Sequence, residues 1–160
     1  MDNITLQQAL VLFEKAHRLQ MKGQFSEAIA MYKHSIEICP TAEAYTFLGW
    51  TYSMLGRYDE AIEMCEEAIH IDPEYGNPYN DIGSYLLELG RPEEALVWLE
   101  KATQATRYED PQFPYLNMGR AYEKLGQYRS ALSAYDQALA VKPVNVVGHM
   151  MKYALLGRMN

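Results

Sequence analysis

Apolar side chains recur along this chain with the period of an α-helix, in short runs separated by Gly or Pro residues. One such run has apolar or small residues at positions i, i+3, i+4 and i+7, namely Tyr45, Leu48, Gly49 and Tyr52. This spacing places them on one face of a helix. Gly56 follows the run, and glycine readily adopts the left-handed conformation that ends a helix. A two-residue link follows that Gly, and a second helix is then expected to begin with Glu60, Ala61 and Ile62. The pattern therefore predicts pairs of short helices joined by tight turns.

The same arrangement occurs four times. In each copy an Ala follows a Gly by five positions: Gly23 and Ala28, Gly56 and Ala61, Gly90 and Ala95, Gly126 and Ala131. Successive Ala residues are 33, 34 and 36 positions apart, counting from 28 to 61, from 61 to 95 and from 95 to 131. A small residue precedes each Gly by seven positions: Ala16, Gly49, Gly83 and Gly119. A period in this range indicates a repeat architecture.

The recurring residues have a common physical explanation. Small side chains are needed where two helices cross at the usual axial separation of about 8–10 Å. The residue four positions after each Ala is expected to face inward: Tyr32, Cys65, Leu99 and Tyr135. A proline ends the second helix in three of the four copies: Pro40, Pro73 and Pro143. One helix pair cannot bury its apolar face alone, so the pairs are expected to stack into a solenoid.

These residues resemble the tetratricopeptide repeat family over about residues 9–143. The segments 45–52 and 56–62 are close to the family's signature, whereas the first repeat departs from it most, with Lys15, Ala16 and Leu19 in place of the usual Leu-Gly and Tyr. The resemblance implies an all-α, right-handed superhelical solenoid of antiparallel helix pairs whose first helices line a concave groove. Residues 1–160 are expected to form a single domain, with repeats at about 9–41, 42–75, 76–111 and 112–145 and a capping helix at about 146–158.

The join between the third and fourth repeats is longer than the preceding one. Ala95 to Gly119 spans 24 residues, against 22 from Ala61 to Gly83. We expect an extended or extra-turn loop between Thr103 and Pro114, arising either from neutral variation in length or from a contribution to a binding surface. The longer join is similar to that of repeat proteins that assist bacterial pilus assembly, although the absence of a lipoprotein signal argues against that identity.

Composition and charge restrict the classes of partner. The formal net charge is −7, which disfavours nucleic acid and anionic membranes because both attract basic surfaces. The apolar runs are shorter than a membrane span requires, and the start lacks the features of a secretory signal. Cys39 and Cys65 do not form a CxxC motif, and two buried thiols in a reducing compartment are the simplest interpretation. We therefore expect a cytoplasmic protein.

The sequence offers no set of residues typical of an active site. The four histidines (His17, His34, His70 and His149) lie on different predicted helices, without a partner at metal-ligand or general-base spacing. Phosphate-binding, dinucleotide-binding, metalloprotease and nucleophile-elbow motifs do not occur. Acidic pairs such as Glu66-Glu67 are explained by a solvated helix face. We expect no catalytic activity, no metal and no cofactor.

The candidate binding site is the stripe of the first helices that lies beside their core stripe. It mixes aromatic, amide and basic side chains that suit an extended peptide or an amphipathic helix. The candidate residues are Phe13, His17, Thr46, Trp50, Asn77, Asn80, Ser84, Phe113, Leu116, Asn117 and Arg120. Trp50 is the strongest single candidate, the alternative being that it only packs between helices. The basic clamp with which some family members bind a C-terminal carboxylate has only Asn77 as a matching residue.

The terminal segment leaves a second hypothesis open. Residues 144–160 read as one more helix that is apolar on nearly every side, whereas a solenoid needs a polar end for solubility. The helix therefore either packs on the fourth repeat or contacts a partner. We predict that this end self-associates, through Val147, Met150, Met151 and Leu155, or that it occupies a groove. The sequence thus favours a non-enzymatic scaffold that binds a protein segment in its groove. The alternative is a structural or self-associating subunit that uses its edges and its last helix.

Overall fold

The computed structural model describes residues 3–160, and across them the chain forms nine α-helices. Their bounds are α1 (Asn3–Met21), α2 (Phe25–Ile38), α3 (Ala42–Met54), α4 (Tyr58–Ile71), α5 (Asn77–Glu88), α6 (Pro92–Gln104), α7 (Gln112–Lys124), α8 (Tyr128–Val141) and α9 (Val146–Met159). Helices α1 and α2, α3 and α4, and α7 and α8 pack against each other as hairpins. The fold is the all-α helical repeat that the sequence predicts.

The chain divides into two compact units. Unit 1 comprises Met1–Pro78 and unit 2 comprises Tyr79–Asn160. In unit 1 the second helix of the first hairpin, α2, also contacts α3; in unit 2, α6 contacts α7 and α8 contacts α9. The repeat boundaries and the single domain given above stay predictions.

The four glycines that end the first helices have left-handed backbone conformations. Their φ angles are 75° at Gly23, 72° at Gly56, 72° at Gly90 and 71° at Gly126. At Gly56 the backbone N–H donates to Ser53 O at 2.9 Å, and the next N–H, of Arg57, donates to Tyr52 O at 3.0 Å. These bonds satisfy carbonyls at the end of α3 that have no partner within the helix. The predicted helix ends are therefore confirmed.

Replacing Gly56 with alanine should destabilise the protein through the backbone alone. A Cβ at this position has no atom within 4 Å, so the penalty comes from holding an L-residue at positive φ, which costs about 1 kcal/mol. Urea unfolding followed by circular dichroism measures the loss, and Gly56→Asn should lose less because Asn tolerates this conformation better. An alanine variant as stable as the parent chain would contradict the assigned backbone geometry.

The small residues within the first helices lie where the paired helix comes closest. A Cβ added to Gly49 would be 2.9 Å from the carbonyl oxygen of Ala61, and one added to Gly83 would be 2.5 Å from Leu99 Cδ2. A larger side chain would have to push the paired helices apart. The predicted inward-facing residues are all fully buried: Tyr32, Cys65, Leu99 and Tyr135.

Polar groups inside unit 1 are satisfied by specific hydrogen bonds. The Tyr32 hydroxyl donates to Gln20 Oε1 at 2.7 Å, and Ser35 Oγ donates to the Ala9 carbonyl at 2.7 Å. Both bonds join α1 to α2, and their side chains are buried. Because an unpaired buried polar group costs free energy, these bonds fix the registration of the first hairpin. Cys39 and Cys65 are also buried.

The join between α6 and α7 is irregular, as predicted, but shorter than the predicted segment. Helix α6 continues to Gln104 and α7 begins at Gln112, so Pro114 lies in the first turn of α7. A proline is tolerated there because the first N–H groups of a helix have no acceptor within it. The side-chain amide of Gln112 donates to Asp110 Oδ1 at 3.2 Å, which closes the turn before the helix.

Candidate functional site

Four aromatic side chains from the two first helices of unit 1 lie together at its surface. We call them the aromatic surface: Phe13 and His17 on α1, and Phe47 and Trp50 on α3. The centroid of the Phe47 ring is 5.2 Å from that of Phe13, 5.2 Å from that of His17 and 5.8 Å from that of Trp50. Each pair meets edge to face, an arrangement that aromatic rings favour. Because Phe47 contacts each of the other three rings, these contacts hold the four rings in fixed relative positions.

The aromatic surface is open to solvent and bordered by further apolar side chains. Trp50 is 38% exposed. Leu10 precedes Phe13 by three positions on α1 and Met54 follows Trp50 by four on α3, and these two side chains are 46% and 48% exposed. The other three rings are partly exposed. Trp50 thus both packs on Phe47 and keeps a free face. A rigid and partly exposed tryptophan is the kind of side chain that contributes most to protein–protein binding.

Phe47 is a member of this surface that the sequence analysis did not select. It contacts three of the other rings described above, namely those of Phe13, His17 and Trp50. The signal was present, because Phe47 precedes Trp50 by three positions and residues at that spacing share a helix face. On α3 the sequence analysis selected Thr46, which is the neighbour of Phe47 and lies on a different face of the helix.

Two of the predicted groove residues belong to the core instead. Thr46 is only 3% exposed, and its hydroxyl donates to the Ala42 carbonyl at 2.8 Å. Leu116 is 4% exposed and packs with Tyr135 in the core of unit 2. The prediction that these two side chains face a partner is wrong. The reason is that the selected stripe lies close to the core stripe, and neighbouring helices cover part of it.

In unit 2 the predicted amide residues are connected to each other by hydrogen bonds. Asn117 Nδ2 donates to Asn80 Oδ1 at 3.0 Å, and Arg120 Nη1 donates to Asn117 Oδ1 at 3.0 Å. Arg120 Nη2 also donates to Glu88 Oε1 at 3.1 Å. This chain of bonds links α5 to α7 and orients the Arg120 guanidinium. Asn80 is buried, and its side-chain oxygen accepts the hydrogen bond that orients Asn117.

The remaining predicted groove residues are partly or largely exposed. Asn77 and Ser84 lie on α5 and are half-buried, and Phe113 is 43% exposed in the first turn of α7.

Asp81 follows Asn80 on α5, and burial raises the pKa of its carboxyl to about 7. An ordinary aspartate titrates near 3.9. Asp81 therefore titrates close to neutral pH.

Helix α9 is attached to unit 2 by its inner face. Leu155 is fully buried in the core cluster with Leu116 and Tyr135, so its predicted role in self-association is wrong. Lys152 Nζ is 2.7 Å from Asp136 Oδ1, and Arg158 pairs with Glu123. Met151 is half-buried against the same core, whereas Val147 and Met150 are 56% and 66% exposed.

Neither a metal centre nor a membrane-crossing helix is found among residues 3–160. No three His, Cys, Asp or Glu side chains in that range converge as metal ligands would. None of the helices there combines the length and the apolar character needed to cross a bilayer. The four histidines are separated, with His17 in the aromatic surface and His149 Nε2 2.8 Å from the Pro143 carbonyl.

The fold and the aromatic surface define a helical-repeat protein of hairpins whose first helices present side chains to solvent. The family model named Tetratricopeptide repeat matches residues 42–75 and 114–145, and a second model of the same name matches residues 79–107. The chain belongs to the tetratricopeptide repeat family. Proteins of this family generally mediate protein–protein interactions.

Individual relatives agree with this assignment. The TPR repeat-containing thioredoxin TTL4 of Arabidopsis thaliana is 30% identical over 125 residues, which cover 74% of this chain and 18% of that protein. The chain spans less than half the length of the curated relatives that it matches. The structure of pilF of Pseudomonas aeruginosa superposes with a TM-score of 0.87 at 20% identity, covering 96% of this chain and 70% of that one.

A second solved structure has a described binding property. YrrB, described as a TPR protein with an unusual peptide-binding site, superposes with a TM-score of 0.69 at 23% identity, covering 94% of this chain and 77% of that one. At these levels of identity the structural likenesses establish the fold alone. They leave the partner to be argued from this chain's own residues.

Proposed function

We propose that this chain is a non-enzymatic protein–protein interaction module that holds a segment of another protein against the first helices of its repeats. The observation that carries the proposal is the aromatic surface of unit 1. Its four rings are preorganised by edge-to-face contacts, and Trp50 keeps a free face (38% exposed). A rigid apolar surface binds with little loss of conformational entropy, which favours affinity.

The chemistry of the aromatic surface suggests the type of segment that it binds. Leu10 and Met54 extend it as an apolar strip, and His17 is its only titratable member. We expect a partner segment with large aliphatic or aromatic anchors, bound as an extended peptide or as one face of an amphipathic helix. YrrB supports the proposal by analogy, because a member of the same fold is described as binding a peptide.

The second candidate function is that of a structural or self-associating subunit. It is favoured by the exposed apolar residues of α9, among them Val146 and Val147 (70% and 56% exposed). The two functions use different surfaces, on α1 and α3 in the first case and on α9 in the second. Substitutions on one surface therefore leave the other intact.

Replacing Trp50 with alanine is expected to weaken partner binding at least about tenfold, because truncation of a central tryptophan commonly costs 2 kcal/mol or more. Peptides selected from a random displayed library on the immobilised intact chain provide the ligands, and fluorescence polarisation gives their Kd. Trp98→Ala is the matched control, since Trp98 is a half-buried tryptophan on the second helix α6. Equal losses in the two variants, or no loss in Trp50→Ala, would contradict the proposal.

A further inference from the structure

Helix α9 has an outer face that is almost entirely apolar. Val146, Met150 and Tyr153 are 70%, 66% and 65% exposed, and Ala154 and Gly157 are exposed beside them. The two basic side chains of the helix are engaged in ion pairs within unit 2, Lys152 with Asp136 and Arg158 with Glu123. The inference drawn from this face rests on the second candidate function, for which it supplies a partner and a geometry.

The exposed residues of α9 include a seam with the spacing of paired helices. Its members follow each other at intervals of three, four and three positions: Val147, Met150, Ala154 and Gly157. A 3-4-3 spacing keeps side chains on the line along which two helices pack together. All four are exposed, so the seam has no helix against it within unit 2.

Gly157 differs from the other glycines within the helices of this chain. Gly49 and Gly83 have atoms of the paired helix within 3 Å of an added Cβ, and the Cβ of Gly148 would be 3.0 Å from Leu139 Cδ2. An added Cβ at Gly157 meets nothing within 4 Å. Glycine is a poor helix former, and elsewhere in this chain a helical glycine lies where another helix crosses. Gly157 fits this pattern if a helix from outside residues 3–160 crosses there.

We propose that two copies of this chain associate through antiparallel pairing of their α9 helices along this seam. In an antiparallel pair centred on position 152, Val147 of one copy faces Gly157 of the other, and Met150 faces Ala154. A large side chain opposes a small one in each of the four layers, so the helices approach evenly. A parallel pair would place Val147 against Val147 and Gly157 against Gly157. The two valines would hold the helices apart at one end, and the two glycines would leave a gap between them at the other.

The distribution of charge also favours a second copy as the occupant. Residues 144–160 carry two basic residues and no acidic one, so of the net charge of −7 the rest of the chain carries −9. Two acidic molecules repel least where neither presents a carboxylate. The arrangement has twofold symmetry, which is the commonest form of homo-oligomer. One helix pair is a small interface, so we expect half-association on the order of 10 µM.

Sedimentation velocity of the intact chain between about 1 and 500 µM tests the association. We expect a monomer that becomes a dimer as concentration rises, and Val147→Lys with Met150→Lys should keep it monomeric throughout. Val97→Lys with Val141→Lys is the matched control, because these valines are exposed on α6 and α8 and should leave the dimer unchanged. A parent chain that is monomeric at the highest concentration, or a dimer that survives the α9 substitutions, overturns the proposal.

Disulfide trapping tests the antiparallel register. Only residues whose Cα atoms lie within about 7 Å form a disulfide readily. The double variant Met150→Cys with Ala154→Cys should therefore give an oxidised dimer at least several times faster than either single variant, with the parent chain as background for its buried thiols. Single variants that trap as fast as the double variant refute antiparallel pairing. Circular dichroism at low concentration verifies that each variant is folded.

Discussion

Replacement of Gly119 by alanine is expected to lower the free energy of unfolding of unit 2 by about 2 kcal/mol. In an unconstrained helix this change would stabilise by about 1 kcal/mol, because alanine is the better helix former. Here the new Cβ overlaps the ring of Tyr135 on the paired helix. Overpacking a filled core typically costs about 1–3 kcal/mol and at times more. Because the new Cβ overlaps the ring, we expect a cost at the upper end of this range, and the gain in helix propensity reduces the net loss to about 2 kcal/mol.

The Tyr135 ring cannot move aside without breaking other contacts. It is fully buried, and its hydroxyl donates to Glu123 Oε1 at 2.7 Å. Glu123 is itself held by Arg158 from α9. Displacing the ring would therefore disturb the attachment of three helices, α7, α8 and α9, rather than a single rotamer.

Urea unfolding of matched glycine variants measures the effect. Gly157→Ala is the control, since it makes the same chemical change in a helix with nothing within 4 Å of the new Cβ, and at monomeric concentration it should be neutral or stabilising by up to about 1 kcal/mol. A Gly119→Ala variant as stable as the parent chain would mean that α7 and α8 lie further apart than described.

Replacement of Asp81 by asparagine is expected to stabilise the protein progressively as the pH rises. Burial raises the pKa of the Asp81 carboxyl to about 7 in the folded chain, whereas the unfolded value is near 3.9. Between these values folding requires the carboxyl to take up a proton. The contribution of Asp81 is thus fully favourable below about pH 4 and is lost as the pH rises through 7.

The asparagine variant removes this dependence and keeps a similar shape. Each pKa unit corresponds to about 1.4 kcal/mol, so the variant should gain about 2.5 kcal/mol relative to the parent chain between pH 5 and pH 8. Glu100→Gln, which makes the same kind of chemical change at an exposed carboxyl on α6, is the matched control. A difference between Asp81→Asn and the parent chain that is the same at both pH values would refute the assignment, and a carboxyl carbon titration by NMR locates the midpoint directly.

The repeat architecture could be inferred from the sequence because it depends on local steric requirements. Glycine recurs at the positions equivalent to Gly56 because only glycine holds φ near +72° without strain. Gly49 and Gly83 recur because a side chain there would meet the paired helix. These demands act on single positions at fixed spacing, so they remain visible in the sequence.

The composition of the candidate site could be predicted only in part. Periodicity predicted that the first helices carry the candidate site and that Trp50 belongs to it. It did not select Phe47, and it wrongly included Thr46. A rotation of one residue separates a buried threonine from an exposed ring, and sequence periodicity does not resolve such a rotation. The hydrogen bond between Asn80 and Asn117 could not be predicted from the sequence either, because it joins residues 37 positions apart.

Sequence alone therefore determined the helix pairs, their glycine ends, their small crossing residues and the family. Each of these is imposed by the backbone and by steric contact between neighbours in the chain. Only the tertiary structure decided which side chains stay exposed: Trp50 and Met150 remain open, whereas Leu116 and Leu155 are enclosed. Exposure depends on which helix covers which face, and that is a property of packing between segments distant in sequence.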